Sequence, residues 1–394
     1  MKFQNLFHKK RRSESFWVLD IGTETVKTLI FRKENNKNII LAKTSEYFEI
    51  PEVFGNFDFQ EEILQKTILK AVKETQKISK IKTKNLFLGL PTNILQGRIV
   101  CQSFQRKNPK GIINKLEEQR IYEEVFGQIK TKLSQELAQK TELLPQDFYF
   151  PNLKVLKIKV DGYEVPAIQN LSGQNLEFKV FVASILKNQL EKIRKICHTL
   201  DLKILKISHL AENLSQIFPD KAINAIYLDI GGRLTNIFLV EKGKLEAILN
   251  FGKGGMDFTE KLSQSLGLPI PEARVLKENY SNLLLSEKVS QRIKEFFIDT
   301  LQNWFENLKE NLKKFPQKLL PSNVFLFGGG ALIPGIIELL EQGNWDDLAF
   351  ISKPKIELLS PQNLKIVEDK NQILNSPQDI PPLLLFWNFN KDNI

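Results

Sequence analysis

The chain carries one short pattern twice, as FWVLDIGTETVK at residues 16–27 and as AIYLDIGGRLTN at residues 225–236. In each copy an apolar run ends in Asp-Ile-Gly, and a second apolar run follows closely. This pattern is typical of two strands joined by a tight turn. Because glycine has no side chain, backbone N–H groups in such a turn can face a phosphate group. One copy in each half of the chain predicts two lobes of the same design that hold a phosphate chain between them.

The first copy supplies four candidate ligand-binding residues. Asp20 ends a predicted strand, where its carboxylate can hold waters of a magnesium ion. Gly22 leaves room for phosphate, Thr23 adds a hydroxyl donor, and Lys27 can reach a phosphate as a point charge. Asp-x-Gly alone also occurs in ordinary β-hairpins, so the prediction depends on the duplication. The matching candidates in the second copy are Asp229, Gly231, Gly232 and Thr235.

A glycine cluster, GGGALIPG at residues 328–335, follows the apolar run 324–327. Consecutive glycines let a backbone lie flat against a ligand, here the adenine and ribose of a nucleotide. The alternative is a strand-to-helix turn in which glycine is needed for packing alone. The candidates in this motif are Gly328, Gly329, Gly330 and Ala331.

Between the repeats, the sequence changes character. A long charged helical pattern at residues 112–140 precedes strand-like runs at 153–163 and 176–185, which predicts a small α+β module inserted in the first lobe. The predicted division is a basic tail (1–15), the first lobe (16–93 and 176–222), the inserted module (94–175), the second lobe (223–378) and a C-terminal segment (379–394).

The composition argues against a membrane-spanning protein, a disulfide-stabilised secreted protein and a zinc protein. The 394 residues are 42% hydrophobic and 26% charged, as in soluble globular proteins, and no apolar run reaches the roughly 18 residues of a membrane span. The start of the chain lacks the apolar core of a signal peptide, which predicts a cytoplasmic location. Two cysteines and three scattered histidines predict neither a disulfide framework nor a zinc site. The net charge of +10 favours an anionic membrane surface or nucleic acid as partner, or else reflects a lysine-rich solvated surface.

The first twelve residues mix apolar and basic side chains. This mixture predicts contact with an anionic membrane, since apolar side chains insert and cations meet the headgroups. The alternative is a disordered solubilising tail. The predicted membrane residues are Phe3, Leu6, Phe7, Lys9, Lys10, Arg11 and Arg12.

The three glycine-containing motifs resemble, in order and spacing, the phosphate-1, phosphate-2 and adenosine motifs of the actin, Hsp70 and sugar-kinase superfamily. The resemblance implies an α/β fold of two actin-like, ribonuclease H-like lobes that bind ATP and Mg²⁺ between them. It also implies that Asp20 and Asp229 hold the metal through water. The run VDGY (160–163) followed by LSGQNLE (171–177) is similar to the FtsA segment that leaves its extra subdomain. GGMDFT (254–259) and Lys277 are similar to both the FtsA and the PilM families, and Lys277 is implied to contact the nucleoside.

A resemblance to FtsA implies an adaptor that forms filaments on the inner face of the cell membrane and tethers FtsZ or other divisome proteins. The PilM alternative implies ATP binding and capture of a peptide from an inner-membrane pilus protein. A sugar or acetate kinase is disfavoured because no general base suggests itself. A nucleic-acid partner is not expected, because it rests on net charge alone.

Three residues depart from the family pattern. Arg233 replaces a glycine near the phosphates, where it either adds charge or crowds the loop. Arg274 stands where many FtsA proteins have a glutamate near the nucleoside. Ser208 lies near where filament-forming relatives place a Glu or Gln that orients the attacking water, so we expect at most slow ATP hydrolysis, without an assignable catalytic residue.

Overall fold

A computed structural model describes residues 14–34, 37–55, 58–218, 222–317, 319–364 and 367–386. Its strands are β1 (Glu14–Ile21), β2 (Thr25–Glu34), β3 (Lys37–Tyr47), β4 (Asn85–Gly89), β5 (Gln96–Gln105), β6 (Phe148–Val160), β7 (Tyr163–Val165), β8 (Asn175–Leu186), β9 (Lys203–Ser208), β10 (Ala225–Ile230), β11 (Thr235–Glu241), β12 (Lys244–Phe251), β13 (Asn323–Phe327), β14 (Lys355–Leu358) and β15 (Val367–Glu368). Its helices are α1 (Glu61–Ser79), α2 (Lys115–Thr141), α3 (Lys187–Thr199), α4 (Gly255–Leu266), α5 (Ile270–Ser281), α6 (Glu287–Leu312), α7 (Ile336–Gln342) and α8 (Ile380–Leu385).

The first lobe is built on a six-stranded sheet with the order β15-β3-β2-β1-β4-β9. β1 pairs antiparallel with β2, which places Asp20 opposite Lys27, and it pairs parallel with β4. Both faces of β1 are covered, since Trp17, Val18 and Leu19 are each at most 2% exposed. α1 buries one face against β2 and β3 and leaves the other in solvent. The end of β1 that carries Asp20 is thus held in place by the core around it.

The second lobe repeats this arrangement on a five-stranded sheet with the order β12-β11-β10-β13-β14. β10 pairs antiparallel with β11, which places Asp229 opposite Asn236, and it pairs parallel with β13. Asp229 therefore occupies in its hairpin the position that Asp20 has in the first. α6 packs Phe297 and Trp304 into the core of this lobe. The predicted two-lobed α/β fold with duplicated lobes is confirmed.

A third sheet, with the order β5-β8-β6-β7, packs against α2 and forms the inserted α+β module. α2 buries Ile121, Val125 and Ile129 in the module's own core. β8 pairs with both β5 and β6 along its length. The sheet of the module therefore reaches Leu186, beyond the limit of 175 drawn from the sequence, and includes β5, a strand that the sequence pattern did not predict.

Contacts between distant segments join these parts. Lys179 of β8 forms an ion pair with Glu246 of β12, so the module touches the second lobe. α8 lies against β1 and β4 of the first lobe, and the ring of Phe386 stacks 4.2 Å from that of Phe31, measured between centroids. Within the described ranges, no helix has the length and apolar character needed to cross a bilayer.

Candidate functional site

The two hairpins face each other across a cleft between the lobes, and a cavity of about 640 Å³ lies between them. This volume falls in the usual range for a site that binds a small organic ligand. Eleven of the thirteen predicted nucleotide-binding residues line this cavity. They are Asp20, Gly22, Thr23, Lys27, Asp229, Gly231, Gly232, Lys277, Gly328, Gly329 and Gly330.

The first hairpin closes on a turn in which the Gly22 N–H donates to the Thr25 carbonyl at 2.8 Å. The side chain of Asp20, just before the turn, is 14% exposed, and its Oδ2 lies 3.7 Å from Lys27 Nζ on the paired strand. Burial raises the pKa of Asp20, and the charge of Lys27 opposes that rise. A carboxyl group and an ammonium group therefore stand side by side at the cavity wall.

The second hairpin repeats the turn, with a hydrogen bond of 2.9 Å donated by the Gly231 N–H. Asp229 is 9% exposed and accepts a hydrogen bond from Asn236 Nδ2 at 3.0 Å. Desolvation raises the pKa of Asp229 to about 6; Asn236 and Lys27 oppose the rise, and the charge of Asp20 adds to it. The two carboxylates therefore repel each other across the cleft, and a cation near both would stabilise their ionised forms.

This acidic pair fits a magnesium ion that is held through water. Mg²⁺ keeps several waters and is usually bound by one or two carboxylates together with substrate phosphates. Asp20 and Asp229 supply two carboxylates to a cavity that both hairpin turns also line. Across the part of the chain that the structure describes, no group of three or more His, Cys, Asp or Glu residues could hold a metal by itself. The donor set thus suits a metal that enters together with phosphate groups.

The glycine cluster packs its backbone against the end of β10. Gly328 has a φ of +90°, and a Cβ there would lie 2.6 Å from Asp229 Oδ1 and from the Ile230 carbonyl oxygen. A Cβ at Gly330 would lie 2.5 Å from Ile230 Cγ2, whereas one at Gly329 would meet nothing closer than 3.8 Å. Packing therefore requires glycine at 328 and 330, and Gly329 presents an open backbone to the cavity.

Charged and aromatic side chains of both lobes meet beside α5. Lys277 Nζ donates to the Gly255 carbonyl at 3.0 Å, and burial lowers the pKa of Lys277. The guanidinium carbon of Arg274 lies 4.4 Å from the ring centre of Tyr47, a cation–π contact. Arg274 Nη2 also lies 3.7 Å from Glu24 Oε1, so the first hairpin contacts the second lobe here. Arg274 is thus held by first-lobe residues on both sides.

Arg233, the departure in the second hairpin, does not direct its charge at the cavity. Its backbone N–H donates to Thr23 Oγ1 at 3.0 Å, which joins the two hairpins directly. Its guanidinium group donates to the Pro51 carbonyl at 2.9 Å and lies 3.3 Å from Glu260. The side chain therefore links the lobes at the rim of the cleft and does not crowd the turn.

The structure does not bring Thr235 and Ala331 to the cavity, although the sequence grouped both with the nucleotide site. The hydroxyl group of Thr235 is buried, accepts a hydrogen bond from Trp304 Nε1 at 2.9 Å and donates to the Lys253 carbonyl at 2.7 Å. Ala331 packs in the hydrophobic core of the second lobe. Both residues stabilise their motifs through contacts inside the second lobe and not through contacts with the cavity.

Some cavity residues were not assigned to the site from the sequence. Asn236 binds Asp229 and also accepts a hydrogen bond from Thr92 Oγ1 at 2.7 Å, which connects the lobes. A signal for Asn236 was available, because it faces Asp229 in the hairpin as Lys27 faces Asp20. The other unassigned residues, which separate segments bring to the cavity, include Glu24, Tyr47 and Glu278.

The predicted membrane contact falls outside the described residues. The first described residue is Glu14, the first residue of β1. It lies about 20 Å along this strand from Asp20. The tail is therefore attached at the end of the first lobe away from the cavity. The residues concerned are Phe3, Leu6, Phe7, Lys9, Lys10, Arg11 and Arg12.

Comparisons with known proteins agree with this architecture. The family model described as "Cell division protein FtsA" matches residues 226–377. FtsA of Enterococcus hirae is 24% identical over 349 residues, which cover 82% of this chain and 75% of the relative. FtsA of Streptococcus pneumoniae is 23% identical over 371 residues, or 84% and 74% of the two chains.

A solved structure gives a second comparison. One chain of a PilM–PilN type IV pilus biogenesis complex superposes with a TM-score of 0.67 at 18% identity and covers 94% of this chain and 96% of that one. At this identity the likeness supports the fold alone. The chain thus has the actin-like fold, and it is similar to FtsA along most of its length.

Proposed function

We propose that this chain, an actin-like protein similar to FtsA, binds ATP with Mg²⁺ between its lobes and acts as an adaptor of bacterial cell division. One observation carries the proposal: two matching acidic hairpins and a glycine cluster surround one shared cavity of about 640 Å³. Backbone amides around an acidic pair suit a metal-bound polyphosphate. The similarity to FtsA is what supports a role in cell division.

Each cavity residue has a role in this proposal. The N–H groups of the hairpin turns and the hydroxyl group of Thr23 would contact phosphate oxygens, and Lys27 would add positive charge. Asp20 and Asp229 would hold Mg²⁺ through water, and the metal would offset the charge of the phosphates. The glycine cluster would face the nucleoside, with Lys277 beside it. The glycines concerned are Gly22, Gly231 and Gly232 in the turns and Gly328, Gly329 and Gly330 in the cluster.

Nucleotide binding would strengthen the connection between the lobes. In the structure the hairpins touch through the hydrogen bond from the Arg233 N–H to Thr23 Oγ1. A phosphate chain in contact with both hairpins would favour the closed arrangement, because only that arrangement offers donors from both lobes. A closed shape would suit head-to-tail self-association into filaments, which is an open heterologous assembly.

We expect ATP turnover to be slow at most. Ser208 lies at the end of β9, near where, by resemblance, filament-forming relatives have a Glu or Gln that orients water. Its side chain is 1% exposed, and its hydroxyl group has no hydrogen-bond partner among the described residues. Ser208 does not line the cavity, so its hydroxyl group would not reach a water molecule beside a bound phosphate. Bound ATP would therefore act mainly as a structural ligand.

At the inner face of the cell membrane, the assembled protein would tether FtsZ or other divisome proteins. The basic and apolar residues among positions 1–12 would contact anionic lipid. This tail joins the first lobe at the start of β1, away from the cavity. Lipid contact would therefore leave the cleft accessible to nucleotide.

Sedimentation with liposomes tests this function. We expect the purified protein to pellet with anionic liposomes when ATP and Mg²⁺ are present and to carry FtsZ into the pellet, because assembly and lipid contact act together. Omission of nucleotide and deletion of residues 2–12 are the controls, and both should reduce the FtsZ in the pellet. A protein that binds ATP but neither assembles nor recruits FtsZ would refute the adaptor role and favour the PilM-like alternative.

A further inference from the structure

Helix α1 carries a row of lysines along its solvent face. Five lysines follow one another at steps of four, three, four and three residues, a spacing that keeps them on one side of a helix. All of them are exposed, while the opposite side of α1 is buried in the core of the first lobe. The row is therefore a fixed cationic surface about 20 Å long. Its members are Lys66, Lys70, Lys73, Lys77 and Lys80.

Acidic neighbours neutralise only the first half of this row. Lys66 pairs with Glu49 and Lys70 pairs with Glu46, each at 2.7 Å. Glu74 is the one acidic residue between positions 73 and 82 of the sequence. Within the described ranges, no ion pair or side-chain hydrogen bond involves Lys73, Lys77, Lys80 or Lys82, which lies in the loop after α1. These four lysines, with the single Glu74 among them, form a cluster of net positive charge, hereafter the lysine corner.

The lysine corner lies beside the point where the N-terminal tail joins the lobe. Thr83 Oγ1 donates to the Ser15 carbonyl at 2.6 Å, and Asn85 Nδ2 donates to Glu14 Oε1 at 2.9 Å. Residues 1–13 join the chain here. They contain the basic residues Lys2, Lys9, Lys10, Arg11 and Arg12 and the apolar residues Met1, Phe3, Leu6 and Phe7.

We propose that the lysine corner is a second lipid-contact surface, through which the first lobe lies against an anionic bilayer. The inference rests on the membrane contact in the proposed function and adds a folded surface to it. One weak anchor binds a bilayer only marginally, and a cationic patch next to it makes the attachment stable. The tail and the corner are attached at the same end of the lobe, so one bilayer can contact both.

The side chains of the corner favour lipid over nucleic acid. Lysine is a point charge on a flexible stem and suits a diffuse layer of headgroups, whereas base edges are read by the bidentate groups of Arg, Asn and Gln. The surface lies at the end of β1 opposite Asp20, so the cleft faces away from the bilayer.

The test compares two variants of equal charge change in the full-length protein. K73E/K77E/K82E reverses three charges of the corner. It leaves Lys80 unchanged, because this residue caps the C-terminus of α1 with a φ of 56°. K130E/K132E/K140E, the control, makes the same change on exposed positions of α2 in the inserted module. Each protein is floated with vesicles of equal parts phosphatidylglycerol and phosphatidylcholine at low salt. We expect binding to fall on the order of a hundredfold in the first variant and less than about threefold in the control.

The other outcomes distinguish the surface from the function on which it rests. If wild-type protein does not float with these vesicles, the proposed membrane contact is wrong and the lipid surface with it. If deletion of residues 2–12 weakens binding but K73E/K77E/K82E floats like its control, the tail stands and the lipid surface is refuted. If the variant instead loses affinity for double-stranded DNA, the corner is a nucleic-acid surface. K73Q/K77Q/K82Q, which removes charge without reversing it, must lose an intermediate amount and keep the wild-type melting temperature.

Discussion

Replacing Asp229 by asparagine is expected to make the nucleotide-free protein more stable and to weaken its stabilisation by ATP and Mg²⁺. The first effect follows from burial, because desolvation raises the pKa of this carboxyl group from 3.8 to about 6. A shift of this size corresponds to about 3 kcal/mol of preference for the protonated form. Asparagine has nearly the same shape and no charge, so the melting temperature near neutral pH should rise by several degrees.

The pH dependence of this gain has a definite sign. The folded protein binds the proton of Asp229 more tightly than the unfolded chain, because the folded pKa is raised. The destabilisation is therefore complete above about pH 6, where a buried group must stay ionised, and it disappears below the unfolded pKa of 3.8. The stability difference between Asp229→Asn and wild type should accordingly shrink as the pH falls through this range.

The second effect follows from the loss of a negative charge at the metal. Asparagine cannot supply a carboxylate, so ATP with Mg²⁺ should bind more weakly by at least about tenfold. Thermal unfolding with and without nucleotide measures both effects in one experiment. The control is Asp201→Asn, which removes an exposed carboxylate paired with Lys84 and should change stability by less than about 0.5 kcal/mol. An unchanged response of Asp229→Asn to nucleotide would remove Asp229 from the site.

Gly328→Ala is expected to damage both fold and site. The φ of +90° at this position is unfavourable for alanine, and its Cβ would lie 2.6 Å from Asp229 Oδ1 and from the Ile230 carbonyl oxygen. The Ile230 carbonyl belongs to β10, whose pairing on both sides prevents it from moving aside. We expect the free energy of unfolding to fall by about 3 kcal/mol or more and nucleotide binding to weaken, since the second hairpin would shift.

Gly329→Ala is the matched control. A Cβ at this position meets nothing closer than 3.8 Å, so urea denaturation should show a loss of no more than about 1 kcal/mol. Because Gly329 lines the cavity, the affinity of this variant for ATP reports whether the nucleoside lies against the glycine cluster. If Gly328→Ala unfolds at the same urea concentration as wild type, the described packing of the cluster on β10 is wrong.

The two lobes could be predicted because their deciding signals are local. β1, β2 and β3 follow one another closely and pair in sequence order, and the same holds for β10, β11 and β12. The Asp-x-Gly turns lie between neighbouring strands, so their position in each hairpin follows from the sequence alone. The duplication then fixes which turns face each other.

The inserted module was harder to delimit, because its sheet depends on distant pairing. β5 contains alternating polar residues and lies at the edge of its sheet, where its neighbour β8 is far along the chain. A half-exposed edge strand of this kind gives little hydrophobic signal. The run 176–185 was recognised as a strand of the module, but the boundary was drawn before it; the pairing of β8 with β5 and β6 places the whole strand in the sheet of the module.

At the site, glycines and aspartates were recognisable by position, but the direction of other side chains was not. Thr235 begins β11 opposite Ile230, and packing of α6 decides that its hydroxyl group meets Trp304 and not the cavity. Arg274 is equally dependent on tertiary structure, because Tyr47 and Glu24 reach it from the other lobe. Such contacts between lobes cannot be read from one local pattern.

Calorimetric titration of the purified protein with ATP and Mg²⁺ tests the central claim, that the cleft between the lobes is a nucleotide site. We expect one ATP to bind per chain, with a heat of binding that falls sharply when Mg²⁺ is chelated and in Asp229→Asn. No heat with ATP or any other nucleoside triphosphate, together with an unchanged melting temperature, would contradict the claim.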